Sequence, residues 1–135
     1  KNEDVMVTNL ARPIPTDEEF RDVNNVKVVV DENWDALYFS RSPIPNLYDA
    51  GVDDAPIYHQ VCVIPFRREF LFEFTSMDET PLERTESVDM LRLLENGHDV
   101  RLVETTRDTY PVDTPEDHER VNEMMAEDDL FETYC

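Results

Sequence analysis

The chain has few glycines and few cysteines, and each shortage excludes a class of site. Only Gly51 and Gly97 among its 135 residues are glycine, so a glycine-rich loop that cradles phosphates cannot be built. The two cysteines, Cys62 and Cys135, provide neither a disulfide framework nor zinc-binding spacing, which favours a reducing, cytoplasmic location. No apolar run is long enough to predict a transmembrane helix.

Basic residues are also scarce. The chain has 32 acidic residues against 12 basic ones, a formal net charge of −20, and Lys1 and Lys27 are its only lysines. Such a surface repels nucleic acid phosphates and anionic membranes, so neither is expected as a partner. Acid spread along the chain with so little lysine is typical of a salt-adapted cytoplasm. The alternative is an ordinary acidic protein that self-repulsion keeps soluble.

Strand and helix patterns alternate along the chain, which predicts an α/β fold with a mixed sheet flanked by helices. The β-branched runs at 26–30 and 36–40 predict a hairpin, and a proline-containing loop is expected over 42–56. The remaining expected elements are strands over 5–10, 57–64 and 100–103, helices starting at 16, 67, 80 and 114, and an acidic tail over 126–135.

Local signals mark helix ends and core positions. Thr80, Pro81 and Glu83 form a helix start with a capping box, and the helix is expected to run to Asn96 and end at Gly97. Phenylalanines at 66, 70 and 74 share one helix face, which predicts core packing. Cys62, in an apolar run, is expected to be a small core residue.

Few residues suggest chemistry by themselves. Asp113 lies at a predicted strand end before a capped helix and could hold Mg²⁺ through one carboxylate oxygen, but the residues alone favour a segment that only starts the helix. Arg41 could bind a carboxylate or phosphate as a bidentate fork, or form an ordinary surface salt bridge. Glu83 is already explained by its capping box. Histidines at 59, 98 and 118 have no metal-ligand spacing.

Five ordered segments resemble the CMP-Kdo synthetases, which are 3-deoxy-manno-octulosonate cytidylyltransferases. The most specific match runs from Ala36 to Pro45 and reads ALYFSRSPIP. The resemblance covers about residues 5–125. The other matching segments are Asn25 to Asp31, Pro65 to Leu71, Pro81-Leu82-Glu83 with Glu86, Leu91-Arg92 and the run Leu94 to Gly97, and Val112 to Asp117.

The resemblance implies a reaction and a fold. Members of this family, which serves lipopolysaccharide biosynthesis, transfer CMP from CTP to a 2-keto sugar acid and release pyrophosphate, with Mg²⁺ neutralising the phosphates. The implied fold is the C-terminal part of a nucleotide-diphospho-sugar-transferase-like Rossmann-type fold. Residues 1–125 would then be the sugar-binding and dimerisation half of a homodimeric enzyme. Since the chain opens on a strand and lacks a phosphate loop, we expect the nucleotide-binding half to be absent and the fragment alone to be inactive.

The resemblance also assigns roles to single residues. Asp113 matches the metal-binding aspartate, and Arg41 matches the arginine near the sugar. Glu83 matches the glutamate at the Pro-Leu-Glu helix start, and Gln60 falls where many members have a histidine facing the sugar.

Several positions depart from the family pattern. Met90 replaces a glutamine and Asp89 a glutamate in the sugar-binding helix, and Ile64 replaces a tyrosine. Trp34 occupies the usual hairpin glycine, and Pro111 replaces a small residue. These changes leave the sugar acid open: Kdo, an unusual octulosonate or a related nonulosonic acid, with sialic-acid-activating enzymes as the nearest competitor.

Two further classes of function remain open from the sequence. The chain could be a non-catalytic dimerisation module, or one subunit of a split enzyme. An acidic mimic of nucleic acid is a third class, against which the interleaved apolar strands and helix caps argue.

Overall fold

The computed structural model describes residues 5–52, 55–107, 109–110, 112, 114–127 and 133. Five strands and five short helices make up this part of the chain. In chain order the elements are β1 (Thr8–Pro13), α1 (Asp17–Arg21), β2 (Lys27–Val30), β3 (Ala36–Ser40), β4 (Tyr58–Val61), α2 (Arg68–Ser76), α3 (Pro81–Glu86), α4 (Met90–Glu95), β5 (Arg101–Glu104) and α5 (Pro115–Ala126).

The strands form one mixed sheet in the order β3-β2-β4-β1-β5. Strands β2 and β3 make the predicted antiparallel hairpin, and β4 pairs antiparallel with both β2 and β1. Only β1 and β5 run parallel. The α/β class with a mixed sheet is therefore confirmed, and residues 42–52 and 55–56 contain no long regular element, as predicted for the loop.

The sheet curves until its two outer strands meet. The amide of Ala36 donates to the carbonyl of Val100 at 2.9 Å, and the amide of Leu102 donates to the carbonyl of Trp34 at 2.7 Å. Across this closure Arg101 forms a bidentate ion pair with Asp35, at 2.6 and 2.9 Å. Paired edges leave fewer unsatisfied backbone groups, which stabilises a small sheet.

Helices α2 and α4 pack against the inner face of this curved sheet. Phe70 is buried, and the Phe66 ring stacks with Phe70 and Phe74 at centroid distances of 6.2 and 5.2 Å, so the predicted core packing is confirmed. Phe66 precedes α2, so it is not part of the predicted helix face. The main core consists of Val7, Ala11, Val28, Ala36, Phe39, Phe70, Val88, Met90, Leu91, Leu93, Val100 and Leu102. Met90, at the family's glutamine position, is thus a core residue.

The predicted single helix from 80 to 96 is wrong, because the chain breaks at Ser87. Ser87 adopts the left-handed conformation (φ 54°, ψ 50°), so α3 ends at Glu86 and α4 starts at Met90. The capping box at the start of α3 is confirmed: the Glu83 carboxylate accepts from the Thr80 amide at 3.2 Å. The carboxylate of Glu95 accepts from the Leu82 amide at 3.0 Å, so the start of α3 is held by a side chain near the end of α4.

Other predictions meet mixed outcomes. Cys62 is exposed rather than buried, because β4 ends at Val61 and the chain turns there. Gly97 ends its helix with φ +79°, as predicted. The predicted tail over 126–135 lies largely outside the described residues; α5 extends through Ala126.

Like Ser87, Trp34 has a left-handed backbone conformation. Trp34, at the expected hairpin glycine, has φ +68°, and its ring lies 5.1 Å from that of Tyr58. Left-handed backbone is costly for an aromatic residue, and this ring contact offsets part of the cost. Within the described part of the chain, no helix is both long and apolar enough to cross a membrane.

Candidate functional site

Arg41 follows β3 and ties this strand to the end of α3. Its guanidinium donates to the carbonyls of Glu86 at 2.8 Å, Val23 at 3.1 Å and Ser87 at 3.2 Å. The Glu86 carboxylate in turn accepts from the Arg41 amide at 2.9 Å and from the Ser40 hydroxyl at 2.8 Å. Three of the five guanidinium N–H groups therefore donate to backbone carbonyls: two at the left-handed turn of Ser87 and one, Val23, in the segment after α1.

Lys27 also bonds to the end of β3, through the carbonyl of Arg41. Its ammonium is fully buried and donates to the carbonyls of Asp22, Asn25 and Arg41 at 2.5 to 2.7 Å. Burial lowers the pKa of Lys27, and the three carbonyls satisfy its three donors. The charge therefore fixes the loop after α1 and the end of β3 rather than serving as a free cation. We call Lys27, Ser40, Arg41 and Glu86 the β3 network.

Glu83 is buried and paired across the α3–α4 turn. Arg92 donates to it from Nε at 2.8 Å and also from Nη2, a bidentate pair, while the Arg92 guanidinium lies 4.7 Å from the Phe74 ring centre. These hydrogen bonds hold the pKa of the Glu83 carboxyl below its ordinary value. Both Glu83 oxygens are thus engaged within the chain, which gives this residue a structural role in joining α3 to α4.

Gln60 lies on β4, the middle strand of the sheet, and is buried. Its Nε2 donates to Oδ1 of Asn9 on the adjacent strand at 2.6 Å. Asn9 is fully buried, and its Nδ2 donates to the carbonyls of Val61 at 2.7 Å and Leu10 at 2.9 Å. A polar pair in this position is stable because its buried donors are satisfied.

A groove of about 420 Å³ runs along β4, and we call it the β4 groove. His59 borders it, and its Nδ1 is buried without a hydrogen-bond partner. Burial and the nearby Arg12 guanidinium keep the pKa of His59 below its ordinary value, so the ring is neutral at pH 7. The lining residues are Arg12, Asn24, Asn25, Val26, His59, Gln60, Val61, Cys62, Val63, Thr109 and Tyr110.

A larger cavity, of about 640 Å³, lies between α1 and the 43–52 loop. Its charged residues, Asp17 and Arg21, are exposed and paired with each other at 2.7 Å. Gln60 lines the β4 groove, whereas none of Arg41, Gln60 and Glu83 lines this cavity, so we regard the β4 groove as the better candidate site despite its smaller volume.

The structure separates the predicted site residues. Arg41 and Glu83 contact opposite ends of α3, whereas Gln60 borders the β4 groove. Asp113 lies outside the described residues. Among the residues that are described, no three His, Cys, Asp or Glu side chains group as metal ligands.

Sequence reasoning missed four polar residues that organise these regions: Asn9, Lys27, Glu86 and Arg92. Lys27 carried a usable signal, because a lone lysine within a β-branched strand must find buried acceptors. Glu86 and Arg92 lie in segments that carry the family resemblance, which did not assign them a role. Asn9 carried no signal, since it acts through a partner on another strand.

Comparison with known proteins places this architecture in a class. A family model described as cytidylyltransferase matches residues 1–104. The chain therefore belongs to the cytidylyltransferase family. Within that family it resembles the CMP-Kdo synthetases, as the five sequence segments predicted.

Two relatives carry the name 3-deoxy-manno-octulosonate cytidylyltransferase. The one from Syntrophotalea carbinolica is 44% identical over 119 residues, covering 83% of this chain and 48% of the relative. The one from Solibacter usitatus is 43% identical over 122 residues, covering 90% and 48%. This chain thus spans about half the length of the curated relatives that it matches.

A solved structure agrees with the fold. The structure of CMP:2-keto-3-deoxy-manno-octonic acid synthetase complexed with CTP superposes with a TM-score of 0.81 and is 36% identical. The match covers 93% of this chain and 51% of that chain. The mixed sheet with flanking helices is therefore the fold of the corresponding part of such a synthetase.

Proposed function

We propose that this chain is the sugar-binding and dimerisation part of a cytidylyltransferase that activates a 2-keto sugar acid with CTP. The single observation that carries the proposal is the 93% coverage of the chain by a synthetase structure of that name at a TM-score of 0.81. The relatives named for the same reaction support it. The acceptor sugar would be 3-deoxy-manno-octulosonate or a related 2-keto acid.

The polar groups of the β4 groove support a hydroxylated, anionic ligand. Arg12 uses only its Nη2 in the hydrogen bond to Glu19, at 2.7 Å, among the described contacts. The side-chain amides of Asn24 and Asn25, which line the same groove, add neutral hydrogen-bonding groups. A guanidinium with spare donors suits a carboxylate, and amides suit hydroxyls.

Magnesium belongs to the proposal as well. When bound, Mg²⁺ would neutralise the phosphates of CTP during transfer. Asp113 would hold it through one carboxylate oxygen, and a single carboxylate agrees with the way proteins bind Mg²⁺ beside substrate phosphates.

A pyrophosphate-release assay tests whether this chain lacks the CTP-binding part of the enzyme. The purified 135-residue chain, given CTP, 3-deoxy-manno-octulosonate and Mg²⁺, is expected to release none, because its two glycines cannot form a phosphate loop. Turnover by this chain would overturn the assignment of CTP binding to another polypeptide segment.

Binding tests the sugar site directly. Calorimetry with 3-deoxy-manno-octulosonate is expected to show a saturable site, whereas neutral glucose should not bind. N-acetylneuraminate is the competing acid. A higher affinity for it than for 3-deoxy-manno-octulosonate would favour sialic-acid activation as the function. No binding of any keto acid would contradict the sugar-site proposal.

The metal role needs its own variant. Asp113→Ala is expected to abolish the magnesium dependence of sugar-acid binding, with Asp78→Ala as the exposed aspartate control. Equal magnesium dependence in both variants would remove Asp113 from the proposal.

One feature favours the second candidate, an interaction module or a subunit of a split enzyme. Helix α5 has no buried residue and exposes Met124 and Met125. An exposed methionine pair on an amphipathic helix is typical of a protein contact. Analytical ultracentrifugation of the wild-type chain and of Met124→Asp measures the oligomeric state. If both are monomeric, self-association through α5 is excluded.

A further inference from the structure

Arg12 and His59 lie side by side on the face of the sheet opposite to the core. The two residues are directly paired across β1 and β4. Side chains of such a pair point to the same face, with Cβ atoms about 5 Å apart. The next pair along, Ala11 and Gln60, points to the other face and is buried. Arg12 and His59 therefore meet in the part of the β4 groove that lies on the outer face.

The buried nitrogen of His59 determines the tautomer of the ring. Nδ1 is buried and has no hydrogen-bond partner among the described residues. In a neutral imidazole one nitrogen carries the proton and the other accepts. A proton on Nδ1 would leave a buried N–H group unpaired, which is rarer in proteins than a buried acceptor without a donor. The proton therefore lies on Nε2.

The groups around His59 keep the ring neutral. Lys27 is paired with His59 on the other side, across β2 and β4, so the ring lies between two cationic side chains. Burial and then the Arg12 guanidinium lower the pKa of His59, while the carboxylates of Glu19 and Asp22 oppose them. At pH 7 the ring thus donates from Nε2 without carrying a charge.

Both donors are accessible to a ligand. Nε2 of His59 has no hydrogen-bond partner among the described residues and is not one of the buried atoms without a partner, so it is open to the groove. Arg12 donates to Glu19 through Nη2 and makes no other hydrogen bond in the described part of the chain. Its side chain is 26% exposed. The N–H groups on Nε and Nη1 of Arg12 therefore remain available beside the imidazole.

The rest of the groove suits a charged acceptor. Its lining includes the apolar side chains of Val61 and Val63 and the ring of Tyr110. A hydrogen bond is stronger beside such low-dielectric walls than in water. Arg12 and His59 at pH 7 both offer donors, so they fit a group that only accepts and has at least two oxygens. A carboxylate and a phosphate are such groups.

We propose that Arg12 and His59 form an oxyanion site in the β4 groove, in which the Arg12 guanidinium pairs with a carboxylate or phosphate group and the neutral His59 ring donates from Nε2 to one of its oxygens. The existence of this site does not depend on the proposed function. The identification of its ligand as the carboxylate of a 2-keto sugar acid rests on the proposed function.

Nitrogen NMR of the histidine rings tests the donor without any ligand. In ¹⁵N-labelled wild-type protein at pH 7, His59 should show a protonated Nε2 and an unprotonated Nδ1. The exposed His118 is the internal control and should show an average of the two tautomers. A protonated Nδ1 at His59, or an averaged ring like that of His118, would overturn the donor role.

Titration with two simple anions tests the site. Sodium acetate and inorganic phosphate, each exchanged for sodium chloride at constant ionic strength, should shift the His59 Nε2 and Arg12 Nε resonances in a saturable way. Saturation by acetate supports a carboxylate ligand, and saturation by phosphate supports a phosphate ester. If neither anion shifts these resonances more than chloride does, the site is overturned.

Three variants separate the two donors from general charge. Arg12→Met should weaken Kd for the tighter of the two anions about tenfold, and His59→Phe about fivefold, as expected for a charged and a neutral hydrogen bond. The exposed Arg21→Met, outside the groove, should change Kd less than about twofold. Equal weakening by both arginine variants would overturn the site. The wild-type resonances decide the matter even where a groove variant does not fold.

The sugar acid separates this site from the proposed function. 3-deoxy-manno-octulosonate should shift the same two resonances, and its Kd should stay constant from about pH 7 to 8 because no proton is taken up. An affinity that rises as pH falls would overturn the neutral donor. Binding without these shifts would overturn the site and leave the proposed function intact. If the sugar acid does not bind but acetate or phosphate does, the proposed function fails and the oxyanion site is supported.

Discussion

The β3 network and the β4 groove are both rich in polar groups, yet they use them in opposite ways. In the β3 network the Lys27 ammonium and most of the Arg41 guanidinium are spent on backbone carbonyls. In the β4 groove the His59 Nδ1 is buried and has no hydrogen-bond partner among the described residues. Polar groups that are hydrogen-bonded within the chain stabilise the fold, whereas polar groups without a partner can bind a ligand.

This contrast changes the weight of the residues that the family resemblance assigned. Arg41 and Glu83 both engage groups of this chain, so any ligand would compete with existing contacts. Gln60 keeps one end of its amide available. We therefore expect substitutions in the β3 network to act mainly on stability, and substitutions in the β4 groove to act mainly on binding.

The largest expected effect is at the centre of the β3 network. Lys27→Met removes the donor for three carbonyls and should lower the free energy of unfolding by about 3 kcal/mol. Urea denaturation measures it, with the exposed Arg84→Met as a control that should cost under about 0.5 kcal/mol. Equal losses in the two variants would contradict the structural role of Lys27.

A smaller loss is expected at the α3–α4 turn. Glu83→Gln weakens the buried pair with Arg92 and should cost about 2 kcal/mol, against under about 0.5 kcal/mol for the exposed Glu79→Gln. The difference in unfolding free energy between the wild type and Glu83→Gln should also decrease below pH 4.5. The folded-state pKa of Glu83 lies below its ordinary 4.5, so its contribution is present above 4.5 and disappears as pH falls through the folded-state value.

Added salt should change the stability that depends on exposed charges but not the stability that depends on buried contacts. With a net charge of −20, the wild-type chain is expected to gain stability as NaCl rises from dilute buffer, because screening weakens repulsion between carboxylates. The Lys27→Met penalty should change by less than about 0.5 kcal/mol, because buried contacts are poorly screened. Full wild-type stability in dilute buffer would contradict the predicted salt adaptation.

The smallest effect is expected at His59. Its folded-state pKa lies below the ordinary 6.5, so between these values the unfolded chain binds more protons and stability rises with pH. The contribution is complete above 6.5 and falls as pH drops below it. In thermal melts from pH 7.5 to 5, the wild type should lose more stability than His59→Gln. Parallel pH profiles would show that His59 is not shielded from solvent.

Local rules predicted much of the fold because their causes are local. The capping box at Thr80 and the left-handed Gly97 depend on residues within one turn of a helix, and both are present. The hairpin of β2 and β3 follows from two β-branched runs around a polar turn. Cys62 was misjudged because an apolar run does not say where a strand ends.

The sequence by itself determined the α/β class, the starts of α1, α2, α3 and α5, and the family, since short-range chemistry and five ordered segments carry that information. Only the tertiary structure decided the break at Ser87, the burial of Lys27 and the direction of the Gln60 amide. The first and the last depend on partners far apart in sequence: Arg41 reaches Ser87 across 46 positions, and Gln60 reaches Asn9 across 51. Lys27 needs the return of β3, which brings the Arg41 carbonyl, 14 positions away, to its ammonium. The chain must fold before such groups meet, so the pattern of residues along it cannot state which polar groups remain free for a ligand.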